Sequence, residues 1–167
     1  MLFHEVLHPN GCLQIDALFD FVVTSSANDF WRIDIGEVSE DLAQNIYKTT
    51  GFELLGYTIS MDSYGFRHIL NQHGISESEV TRGQINIQKK DLRFIVSILE
   101  TPDILTDVGK SRLGHPCILL EKIIHDKHYF ALWEIRTVQS VQKLRIKKHR
   151  FILHTYYIRK KTEKPSR

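Results

Sequence analysis

The sequence predicts an α+β fold with helices first and an antiparallel sheet last. Three observations predict it. In the first two thirds of the chain, apolar residues recur at helical spacing, as in Leu92, Ile95, Val96 and Leu99. From about residue 117 the period changes to two, the alternation of strands with one buried face. The links between those extended runs are short, as in His125-Asp126-Lys127-His128, and short links mean an antiparallel meander.

Taken in order, residues 1–37 read as extended. Leu18-Phe19-Asp20-Phe21-Val22-Val23 and Trp31-Arg32-Ile33-Asp34-Ile35 are the candidate strands, and Asn10-Gly11 marks a turn. Residues 1–29 are either part of the core or an added hairpin. Ser39 caps the next helix, with Glu40 and Asp41 in its first turn. Leu42 and Ile46, with Tyr47, form its buried side, and Gly51 ends it. Phe52–Ser60 is a connector with strand character. Asp62 or Ser63 then caps a helix running to about His73, with Phe66, Ile69, Leu70 and His73 on one stripe. Residues 75–90 are polar and read as a loop. A further helix runs from Lys89 or Lys90 to Glu100, apolar on two sides, and Thr101-Pro102-Asp103 stops it. The candidate strands of the meander are 117–124, 129–136, 141–147 and 151–160, with links at Thr137–Ser140 and Lys148–Arg150.

A length of 167 residues suits one domain, and 42% hydrophobic residues suffice to bury a core. No run approaches the roughly 18 apolar residues of a membrane span. The start, Met1-Leu2-Phe3-His4-Glu5, lacks the features of a secretory signal. Cys12 and Cys117 form no CxxC pair and read as reduced, so a cytoplasmic protein with no membrane partner is expected. The net charge of +2 hides an asymmetry: residues 143–167 carry ten Lys/Arg against Glu163 alone, whereas residues 1–142 carry 12 against 19 acids. A basic end on an acidic body fits either phosphate contact or a solvated tail.

Alternation distributes the strand residues between two faces. A consistent assignment packs one face on the helices and leaves Lys122, Glu134, Arg136, Arg145, Thr155 and Tyr157 on the other; a slip of one residue would invert a strand. In the last strand, Thr155 and Tyr157 then lie with Phe151, Leu153 and Arg159. Such a face has the parts for phosphoryl transfer without a metal: cations to neutralise a pentacoordinate phosphorus, and groups to take and return a proton. An ordinary solvated face with scattered charge is the competing interpretation. His68 and His73 are five apart, about 140° around a helix, so they share no zinc, and no acid or cysteine cluster completes a metal site. His73 is either a hydrogen-bonded core histidine or a base aimed at the sheet. His68, on the other side from Phe66, is a candidate substrate contact. In Arg82-Gly83-Gln84 the glycine lets the backbone approach a ligand beside a guanidinium and an amide. No GxGxxG, Walker loop, HExxH or GxSxG occurs.

The ordered set Arg67-His68-Ile69-Leu70, Gln72-His73-Gly74, Arg82-Gly83-Gln84, Asp91, Ile98-Leu99, Pro102-Asp103, Lys122 and Thr155-Tyr156-Tyr157-Ile158-Arg159-Lys160 resembles the phage-associated branch of the Barnase–EndoU–colicin–RelE-like nucleases. The resemblance covers roughly residues 30–162, leaving 1–29 as an N-terminal extension and 163–167 as a basic tail. It implies helices followed by a four-stranded antiparallel sheet, and metal-independent endoribonuclease chemistry on the open sheet face, with no cofactor. It assigns catalysis to His73, Lys122 and Tyr157, joined on alternation by Glu134 and Arg136. Substrate binding falls to His68, Arg82, Gln84 and Thr155, with Arg145 added by alternation. RNA is the expected substrate. A cognate antitoxin or immunity protein is an expected partner, and delivery into a target cell a toxin-type option. A catalytically inactive RNA- or partner-binding domain of prophage origin is the alternative.

Overall fold

The computed structural model describes the backbone of residues 11–73, 84–139 and 147–160, and all their side chains except those at 73, 84, 137–139 and 147–148. Its elements are α1 (Gly11–Thr24), β1 (Arg32–Glu37), α2 (Glu40–Thr50), β2 (Thr58–Asp62), α3 (Ser63–His73), β3 (Gln84–Ile85), α4 (Lys89–Leu92), α5 (Phe94–Glu100), β4 (Ile104–Lys110), β5 (Pro116–Ile124), β6 (Lys127–Gln139) and β7 (Lys147–Lys160). Helices and a mixed sheet share one core, so the α+β class stands.

The sheet is larger than the expected meander. Six strands run in the order β1-β2-β7-β6-β5-β4, and the short β3 pairs with β7 beside that path. The β4-β5-β6-β7 portion is antiparallel throughout. On the other side of β7, β2 pairs in parallel at residues 150–152 and β3 antiparallel at 158–159. β7 is long because it spans all of these neighbours. Lys148–Arg150, expected as a link, lies inside it, and of the expected strand 141–147 only Lys147 falls within the described residues. β4 escaped the sequence pattern because almost every residue in it is exposed, so pairing with β5 rather than burial defines it.

The N-terminal run expected as a strand is helical. Ile15, Leu18 and Val22 are buried at spacings of three and four, the repeat of a helix stripe, and this outweighs the β propensity of Phe19, Phe21, Val22 and Val23. α1 packs on β1 and α3, within the same core as the sheet. α2 follows its expected signals closely. Ser39 Oγ accepts from the Leu42 N–H, and Gly51 takes a left-handed φ of 80° that Cβ-bearing residues resist, while Tyr47 is exposed rather than buried. The expected helix at 89–100 is two short helices that break at Arg93, whose guanidinium turns to Asp16 on α1.

The core joins helix residues such as Phe66, Ile69, Ile95 and Leu99 to one sheet face, carrying Ile118, Leu120, Tyr129, Ala131, Trp133, Leu153 and Tyr156. α3 lies close on β7. A Cβ on Gly65 would come within 3.2 Å of the Leu153 carbonyl oxygen, so this close approach favours glycine. The helix start is fixed by Asp62, which accepts from the Gly65 N–H at 2.7 Å. Arg67 donates to the Asp29 carbonyl at 2.6 Å and to Ser25 Oγ at 2.8 Å, tying α3 to the α1–β1 connection. Together these hold the outward side of α3, with His68, beside β7.

Candidate active site

The site forms on the sheet face opposite the helices. On β6 the alternation that sends Tyr129, Ala131 and Trp133 to the core sends Phe130, Leu132, Glu134 and Arg136 to the open face. Glu134 stands opposite Cys117 of β5. On β7 the register shifts by one residue: Leu132 pairs with Thr155, but Trp133 pairs with Leu153. His154 is the extra residue of this β-bulge, and such a bulge re-aims a side chain. It brings His154 Nδ1 to 3.0 Å from Glu134 Oε1.

The same carboxylate oxygen accepts from Arg136 at 2.7 Å. The Ser111 side chain, in the turn between β4 and β5, also favours the charged form of the carboxylate. That turn folds back through the Ser111 N–H, which donates to the His115 carbonyl at 2.7 Å. Glu134 itself is almost fully buried, 1% exposed. Burial raises its pKa, but the Arg136 and Ser111 hydrogen bonds and the charge of Arg136, with His154, outweigh it and hold it below the ordinary carboxyl value. Burial, with the charge of Glu134, pushes the Cys117 thiol up.

These groups line a cavity of about 810 Å³. Lys110, Arg112, Arg136, His68 and His154 bring donors to it, Tyr157 closes one side, and Val108, Leu113, Leu119 and Leu132 supply apolar wall. The His68 and His154 rings stand 6.1 Å apart, centroid to centroid. Among the described residues Glu134 is the one acid lining the cavity, and no group of three metal-ligating side chains occurs. An oxyanion would meet three cationic side chains here, with imidazoles able to exchange protons with it.

Of the residues expected at the site, Glu134, Arg136, Tyr157 and His68 are brought together. Thr155 shares their face without lining the cavity, and its buried hydroxyl has no hydrogen-bond partner. Lys122 does not belong with them. It sits in the alternation of Ile118 and Leu120, which is the core face, and its ammonium donates to the Thr101 carbonyl at 2.7 Å and hydroxyl at 2.9 Å. It closes the end of α5 and stands away from Glu134. The side chains of His73 and Gln84, and all of Arg82 and Arg145, lie outside the described residues; the Gln84 backbone pairs opposite Arg159. His154, Ser111, Arg112 and Lys110 were not anticipated. Strict alternation put His154 in the row of Ile152, Tyr156 and Ile158, and an imidazole in that apolar row was the one sign of a bulge.

The open sheet face of this α+β domain gathers a carboxylate, imidazoles and guanidinium groups around one cavity, an arrangement that suits an anionic ligand. The comparison with family models is specific: the chain belongs to the phage-Barnase-EndoU-ColicinE5/D-RelE like nuclease 3 family, whose model matches residues 36–164. The match takes in every residue of the cavity and begins beyond α1. Neither the curated proteins nor the solved structures give a match.

Proposed function

We propose that the protein is a metal-independent endoribonuclease, cleaving RNA by attack of a ribose 2′-hydroxyl on the adjacent phosphodiester. The observation that carries this is the Glu134–His154–Arg136 cluster at the wall of a cationic cavity in a chain of nuclease family. Glu134, held ionised, accepts from His154 Nδ1–H and thereby fixes the tautomer that presents Nε2 to the cavity. His154 then takes the 2′-hydroxyl proton. The 2′-oxygen bonds to phosphorus, the bond to the 5′-oxygen breaks, and His68 supplies the proton that this oxygen needs. Arg136, Arg112 and Lys110 neutralise the charge that builds on the phosphoryl oxygens. Glu134 is a poorer base than His154, because its pKa is lowered and its oxygen already accepts two donors. The products are a 2′,3′-cyclic phosphate and a 5′-hydroxyl.

Two features support a mechanism without a metal: the cavity's carboxylate is committed to a guanidinium and an imidazole, and cations occupy the positions that would neutralise phosphate. The test is incubation with RNA in excess EDTA. Cleavage is expected to persist there and to fall by about 10²–10⁴ in His154→Ala. Cleavage restored only by added magnesium, or undiminished in His154→Ala, would refute the mechanism.

A further inference from the structure

We propose that Asp34 is a positioning residue of the candidate active site: by holding the buried Arg150 guanidinium, it leaves the Glu134 carboxylate to Arg136 and His154; this rests on the ribonuclease function proposed above. A polar row crosses the sheet face opposite the core, from β1 to β6. Ile33, Ile59, Phe151 and Ile135 point into the core, so the adjoining Asp34, Ser60, Arg150 and Arg136 point to the other side. Asp34 pairs with Ser60, and Arg150 with Arg136. Arg150 Nη1 donates to Asp34 Oδ1 at 2.5 Å and to Ser60 Oγ at 2.8 Å. Ser60 Oγ donates in turn to the same Asp34 oxygen at 2.6 Å. Arg150 is only 3% exposed, and its buried Nε has no hydrogen-bond partner among the described residues. Asp34 itself stands before the residues that the family model matches.

This register sets two guanidinium groups side by side. Like charges directly opposite on neighbouring strands repel, so each needs an acid of its own. Arg136 has Glu134 at 2.7 Å, and Arg150 has Asp34. Glu134 pairs with Ile152, which makes it a diagonal neighbour of Arg150. Such diagonal positions stand about 7–8 Å apart, within reach of a side chain as long as arginine. A buried guanidinium stripped of its carboxylate is costly, and it turns to another acid within reach. Here that acid is Glu134, whose Oε1 holds His154 Nδ1 at 3.0 Å. Asp34 thus removes a competitor for the group that orients His154. An ion pair between β1 and β7 also braces the sheet, but bracing alone does not touch an imidazole on the far side of Arg136.

The experiment uses the full chain with isotope-labelled histidine, and NMR follows the titration of His154. That imidazole shares its cavity with Glu134 and Arg136 from β6, His68 from α3, Cys117 from β5, Tyr157 from β7, and Lys110 and Arg112 from the end of β4 and the turn beyond it. All of these stay unaltered. In Asp34→Asn the Arg150 charge is uncancelled about 7–8 Å from Glu134, and the His154 pKa is expected to fall by about 0.5–1.5 units. In the cleavage assay kcat should fall about 10- to 100-fold while KM stays within about three-fold. The double variant Asp34→Asn/Arg150→Gln removes the competing charge as well and should restore both readings. A pair that only braced the strands would not be restored by a second loss. Ser60→Ala is a milder lesion that keeps the carboxylate. It should move both readings the same way in smaller measure, and it decides the matter where Asp34→Asn is poorly folded. An unchanged His154 pKa in the deciding variant, or a loss that the double variant fails to restore, overturns the role of Asp34. If the His154 pKa falls and is restored while the protein cuts no RNA, the hold on Glu134 stands and the ribonuclease proposal fails. If RNA is cut and the His154 pKa does not move, the role of Asp34 alone fails.

Discussion

Glu134→Gln keeps the shape of the side chain and removes its charge, and the structure sets the size of the effect. The carboxylate is nearly fully buried and holds Arg136 at 2.7 Å and His154 at 3.0 Å. A hydrogen bond to a charged group contributes about 1.5–3 kcal/mol. The Arg136 and His154 side chains keep 31% and 44% of their exposure, so water takes over part of what they lose. The expected net loss is about 1–3 kcal/mol, or roughly 2–12 °C in Tm for a chain of this size. The effect also has a pH signature. Glu134 has a folded pKa held below the ordinary 4.5, so its contribution is fully present above that value and is lost as pH falls through the folded pKa. Urea unfolding of both proteins at a series of pH values reads the difference. The gap should be constant from neutrality to about pH 5 and should close at lower pH, because wild type then loses the same charge. In the cleavage assay the variant should lose about 10²-fold or more in kcat, since nothing fixes the His154 tautomer. A stability gap that widens on acidification, or a variant that cuts RNA at the wild-type rate, would refute the role given to this carboxylate.

Three further outcomes are expected. Lys122→Met removes two hydrogen bonds to Thr101 and should cost about 1–2 kcal/mol in urea unfolding while leaving kcat within about two-fold, because Lys122 lies on the other face of the sheet. Leu18→Ala opens the contact between α1 and the sheet and should cost about 2–5 kcal/mol; a loss under 0.5 kcal/mol would mean that α1 is not part of the core. Burial, aided by Asp91 and Asp126, pushes the Tyr129 pKa up to about 12, so the neutral phenol's contribution is present below its ordinary value of 10 and is lost as pH rises through 12. Tyr129→Phe should therefore lose about 2 kcal/mol less stability than wild type between pH 10 and 12, measured by unfolding across that range; equal losses would contradict the assignment.

Much of the fold was legible because local signals and burial agreed. Ser39, Glu40 and Gly51 bound α2 where their chemistry says they should, and β5 and β6 alternate cleanly between core and open face. Reading failed where the deciding interaction is distant in sequence. β4 is an exposed edge strand with no hydrophobic pattern, and β2 joins β7 through a parallel pairing that no local feature announces. At the site, Glu134 and Arg136 followed from alternation on one strand, whereas Lys122 was placed with them by assuming a relative register between two strands. The pairing of Lys122 with Tyr129 puts it on the core face. His154 was lost for a related reason: one inserted residue reverses the face of everything beyond it, so Leu153 and Phe151 turn inward while Thr155 and Tyr157 stay outside.

In the proposed reaction the ribose 2′-hydroxyl is the nucleophile, in the cavity around Glu134 and His154. An oligoribonucleotide and the same strand with a single 2′-deoxy sugar at the cleaved position, each incubated in excess EDTA, test it most directly. The all-ribose strand is expected to end in a 2′,3′-cyclic phosphate and a 5′-hydroxyl, and the deoxy linkage to stay intact. Cleavage at the deoxy position, or products bearing a 5′-phosphate, would contradict it.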